Sequence, residues 1–98
     1  MKPYIALVSK DPDSAYGMVF PDAPGCFSAA DELDDIFAMA NEALAGWTES
    51  MIEGGFPLPK TRDLSEIKAD PEWASDFPEA VMVIAIEPPA QARAAVAA

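Results

Sequence analysis

Ninety-eight residues, about half of them apolar, suit one compact domain near the lower end of the common size range. Six basic against seventeen acidic residues, with no histidine, leave a formal charge of −11. That balance excludes the usual grip on nucleic acid or anionic membrane, which requires lysine and arginine to neutralise phosphates. No apolar run reaches the ~20 residues that cross a bilayer, and Met1-Lys2-Pro3-Tyr4 does not open a signal peptide. A single cysteine, Cys26, rules out an internal disulfide and points weakly to a reducing compartment. The expected location is cytoplasmic.

Tyr4-Ile5-Ala6-Leu7-Val8 is a short run with β-branched and aromatic members, expected as a strand buried on both faces. Lys10-Asp11-Pro12-Asp13-Ser14 breaks it with turn residues, and Ala15 to Phe20 returns as a second, antiparallel strand. Phe20-Pro21-Asp22-Ala23-Pro24-Gly25-Cys26 follows, with two prolines and a glycine in seven residues. Each proline fixes its own φ and pushes its predecessor towards extended geometry, so the expected result is a rigid corner. Cys26 to Ala29 then forms a third strand of a meander.

Asp31 to Glu53 reads as one amphipathic helix, the spine of the fold. Its large apolar residues, Leu33, Ile36, Phe37, Leu44, Trp47, Met51 and Ile52, recur mostly at steps of three and four. Asp31 is expected as N-cap, and the acids of the first turn suit the positive end of the helix dipole. Gly54-Gly55 ends the helix, and Pro57 and Pro59 prevent its resumption. Beyond an extended stretch, short helical turns are expected near Asp63 to Ile67 and Asp70 to Ala74. Ala80 to Ile86 is the most apolar run and reads as a strand buried on both faces, beside the first strand and parallel to it across the crossover. Glu87-Pro88-Pro89 stops it, and the alanine-rich residues that follow suit a frayed helix, a tail or the stub of something removed. The fold class is α+β, in the order β-β-β-α-β. The expected division is a domain over 1–88 and a tail over 89–98.

Catalytic chemistry finds little purchase. Without histidine, the commonest general base and metal ligand is missing, and Cys26, among apolar neighbours, reads as a small core residue. Carboxylates abound, but Asp11-Pro12-Asp13 does not have calcium-loop spacing, and a divalent-metal nuclease is the least favoured reading. No catalytic, cofactor-binding or metal-binding residues are assigned. Acidity of this degree either keeps a small domain soluble or steers a cationic partner. Lys60 and Arg62, the only close basic pair, read by default as solvated surface.

The order Tyr4, Phe20-Pro21-Asp22, Pro24-Gly25-Cys26, a long helix bearing Glu42-Ala43-Leu44, then Phe56-Pro57-Leu58-Pro59 resembles the HicB family of antitoxins from bacterial toxin–antitoxin modules. The similarity runs over about residues 3–87. It implies a partial ribonuclease-H-like fold, with a three-stranded meander, a long helix and a last strand beside the first. It further implies a folded inhibitor that binds a small basic RNA-cleaving toxin of the HicA type and covers its active site. Ala30 stands where many members have glycine. The carboxy-terminal DNA-binding module common in the family has no counterpart in Gln91 to Ala98, where one arginine in eight residues cannot hold an operator. Direct nucleic-acid binding by this chain is therefore not expected.

Within that frame the partner-binding residues are expected to be exposed acids at the hairpin loop and the meander corner, Asp11, Asp13 and Asp22, with Trp73 either an anchor beside them or cover for one end of the core. An exposed edge strand can also pair with its twin, so a homodimer or higher oligomer is expected. The alternative function is a stand-alone interaction domain of the same fold with no toxin partner.

Overall fold

The computed structural model describes residues 1–97. Strands β1 (Tyr4–Lys10), β2 (Tyr16–Val19) and β3 (Phe27–Ala30) form the expected antiparallel meander. A 3₁₀ turn (Leu33–Asp35) leads into α1 (Ile36–Glu53), and α2 (Leu64–Ala69), β4 (Met82–Ile86) and α3 (Ala90–Ala97) follow. The four strands stand in the order β3-β2-β1-β4, with α1 across one face.

β4 lies beside β1 as expected, but antiparallel to it, with Tyr4 opposite Ile86 and Val8 opposite Met82. The reason is a second traverse that the periodicity does not reveal. The Lys2 amide donates to Thr61 Oγ1 at one end of β1 (3.1 Å), and the Val81 amide donates to Val8 O near the other (2.8 Å). Residues 61–81 thus carry the chain back along the sheet after α1 has already crossed it, and β4 must descend. Nor is β4 buried on both faces. Val83 and Ala85 are exposed and Met82, Ile84 and Ile86 turn inward, as at a sheet edge with one face covered.

The helix buries only part of the expected apolar set. Its buried residues are Ile36, Ala40, Leu44 and Thr48, at steps of four, whereas Leu33, Phe37 and Ile52 are exposed. Small residues at 40 and 48 let α1 approach a narrow sheet closely, and the Thr48 hydroxyl is satisfied by donating to Leu44 O (2.8 Å). Asp31 is not the cap. The first turn is 3₁₀, and the Asp35 amide donates to Glu32 O (3.1 Å), so no carboxylate caps it. The other end follows expectation. Gly55 is left-handed (φ 75°), its amide donates to Ile52 O and that of Phe56 to Met51 O, a Schellman closure.

Tyr4, Ala6, Val8, Met18, Phe20 and Cys26 meet Ile36, Ala40 and Leu44 in the core. α3 docks beside α1, with Ala92 buried and Gln91 Nε2 donating to Ala45 O (3.0 Å). No helix among the described residues is long and apolar enough to cross a membrane.

Candidate functional site: the pinned corner and the β3 edge

The proline-rich corner is held from two sides. Within it, the Ala23 amide donates to Phe20 O (3.0 Å) and the Cys26 amide to Ala23 O (2.9 Å), and Gly25 takes the positive φ (85°) that closes the turn. From the helix, Trp47 Nε1 donates to Pro24 O (2.9 Å) while its ring meets Tyr4 edge-on at 6.1 Å. Trp47 therefore joins core, helix and corner, and each of these contacts contributes about 1 kcal/mol.

From the other side comes Arg62. Its Nε donates to Asp22 Oδ1 (2.8 Å) and its backbone amide to Asp22 Oδ2 (2.7 Å), while Nη1 reaches Asp70 Oδ2 (2.9 Å). Asp22 is only 5% exposed. It is thus not the exposed acid expected from the sequence, because a carboxylate at this corner is enclosed once Arg62 folds over it. Arg62, likewise, is not solvated surface: it bridges two acids and ties the crossover to the meander. Hydrogen bonds from Arg62 and then from the Glu72 amide hold the Asp70 carboxyl below the ordinary carboxylate range.

Asp11 and Asp13 are exposed on the hairpin loop, where Asp13 adopts a left-handed φ of 61°. Trp73 is half-buried, and its amide donates to Asp70 O (3.0 Å). Asp22 and Trp73 are therefore linked through Asp70. No hydrogen bond or ion pair among the described residues joins them to Asp11 or Asp13.

The corner delivers β3 to the outer edge of the sheet, and between that edge and α1 runs an open groove of about 700 Å³. Phe27, Ser28, Met39, Glu42, Ala43 and Trp47 are among the residues that line it. Ser28 Oγ donates to Met39 O (3.0 Å) and fixes strand to helix. Phe27 is 68% exposed. Sequence reasoning missed Phe27, Met39 and Glu42 as a set. The one available signal was the small pair Ala43 and Gly46 on the long helix, which leaves room beside a strand. Burial pushes the Cys26 thiol up to about 11, so it stays protonated in the core. Among the described residues no cluster of His, Cys, Asp and Glu could hold a metal ion.

A family model described as "HicB_like antitoxin of bacterial toxin-antitoxin system" matches residues 4–96. The chain belongs to the HicB-like antitoxin family. Its fold is similar to a chain of the HicA3 and HicB3 toxin-antitoxin complex, with 30% identity and a TM-score of 0.68 over 88% of this chain and 96% of that one. It is also similar to the antitoxin HicB of Burkholderia pseudomallei (31% identity, TM-score 0.69), over 89% of this chain and 63% of that one. Against that antitoxin's N-terminal domain alone the match covers 94% of the domain, at 28% identity and a TM-score of 0.63. An uncharacterized 14.9 kDa protein of Haemophilus phage HP1 is 37% identical over 65 residues, 66% of this chain. The chain spans about half the length of that relative (48%). In this HicB-like chain the Phe-Pro-Asp-x-Pro-Gly-Cys string is accordingly a structural device: it pins the corner from which an open edge strand starts.

Proposed function

We propose that this chain is an antitoxin-like inhibitor that binds a small basic HicA-type RNA-cleaving toxin in the cytoplasm and covers its active site. The observation that carries this reading is the match, nearly end to end, to a chain of the HicA3 and HicB3 complex. The formal charge of −11 supports it independently, because a protein that grips RNA presents positive potential and is steered towards an acidic partner. Inhibition here is occlusion. The chain contributes a rigid surface and no bond-making, and it does not itself grip nucleic acid.

Co-expression with the small basic open reading frame adjacent to its gene tests this. The expected result is a co-purifying complex and relief of the growth arrest that the partner causes alone. No complex and no relief would leave the stand-alone interaction domain as the better reading.

A homodimer is supported by a separate observation. β4 is the opposite edge of the sheet, its five residues Met-Val-Ile-Ala-Ile carry no charge, and Val83 is 38% exposed. An uncharged apolar edge is a template for pairing with its own copy. In this reading two copies join through β4, and each keeps its β3 edge free.

A further inference from the structure

Resting on the toxin-binding reading above, we infer that the groove between β3 and α1 is the docking seam, and that its occupant is an extended, cationic segment of the toxin. Four features of the seam favour such an occupant.

The first is backbone. In an antiparallel pair every second residue turns its N–H and C=O away from its neighbour. β3 has β2 on one side only, and among the described residues its backbone makes no hydrogen bond outside the sheet. A strand laid against it gains that ladder.

The second is apolar surface beside the edge. Phe27 is 68% exposed and Met39 37%, and Ala43 and Gly46 leave the helix wall low enough for side chains of an added strand. The third is charge. Glu42 lies in the groove, and Asp31 and Asp35 flank Ala29 and Met39 where it continues towards the start of α1. All three acids are exposed, and no basic residue lines either stretch. A second copy would bring its own acids to this seam, whereas lysine or arginine on the incoming strand neutralises them.

The fourth is rigidity. Trp47 holds Pro24, Arg62 holds Asp22, and Ser28 holds the helix backbone, so the edge is presented already ordered and binding loses little freedom to ordering it. The hairpin loop of Asp11 and Asp13 is closed only on itself, by Ser14 and Lys10 bonding to the Asp11 backbone, with no tie to the helix or the crossover, and Asp22 is enclosed.

The test uses the full chain and the co-expressed toxin, with affinity measured by titration calorimetry at two salt concentrations. The triple variant Asp31→Lys/Asp35→Lys/Glu42→Lys is expected to weaken binding by about a hundredfold or more, and to remove most of the salt dependence. Asp11→Lys/Asp13→Lys is expected to stay within about threefold of the unaltered chain. Phe27→Ser, at an exposed position that folding does not need, is expected to weaken binding about tenfold by an uncharged route. Unchanged binding by both the triple variant and Phe27→Ser, with loss in the hairpin variant, would overturn the seam while leaving the antitoxin reading intact. Failure of the unaltered chain to bind would overturn both.

Discussion

The two edges of the sheet are built from different material. β3 is short, begins at a corner held by Trp47 and Arg62, and runs beside Asp31, Asp35 and Glu42. β4 is longer and uncharged, and it arrives after a stretch of turns. An unpaired edge invites another strand whatever its side chains, and charge then selects which one. On the proposed reading the acid-rimmed edge disfavours its twin and suits a cation, and the bare edge does the reverse. One small sheet can thus hold a partner on one side and its own copy on the other without the two competing.

The strongest way to break the comparison is to loosen only the β3 side. Asp22→Ala leaves the Arg62 amide and guanidinium without their buried acceptor, and is expected to cost about 2–3 kcal/mol, read as a lower midpoint in urea. Toxin affinity should fall with it, because the corner that presents the edge is no longer held. The bare edge is broken separately. Val83→Lys places a charge on β4 where it faces solvent, and sedimentation should show monomers at concentrations where the unaltered chain is dimeric. Toxin binding by that variant should be unchanged.

A smaller effect sharpens the role of the Arg62 bridge. The Asp70 carboxyl is held below its usual range by Arg62, so the folded form binds its proton less readily than the unfolded chain. The stability this adds is present above the unfolded value of about 4 and is lost as pH falls through the lower folded value. Urea midpoints should therefore decline below about pH 4, and Asp70→Asn should flatten that decline.

Much of the scaffold was legible in the sequence because its signals are local. Two prolines and a glycine mark the corner, apolar spacing marks the helix, and Gly54-Gly55 marks its end. What was not legible depends on contacts between distant segments. The direction of β4 is set by where residues 61–81 travel, and no period in the sequence records that path. Asp22 reads as an exposed acid until Arg62, forty positions away, is folded onto it. Part of the helix face was misjudged for a related reason: apolar size suggested Phe37 and Leu33, which stand exposed, whereas close approach to a narrow sheet buried the polar Thr48. The candidate seam was hidden because Phe27, Met39 and Glu42 come together only when strand and helix are side by side.

Amide hydrogen exchange, with and without the co-expressed toxin, compares the two edges in one measurement. Slower exchange at Phe27–Ala30 and across the first turns of α1, with Met82–Ile86 unchanged, is the predicted footprint. Protection at Met82–Ile86 or at the Asp11–Ser14 loop instead, or at none of these, would contradict the account.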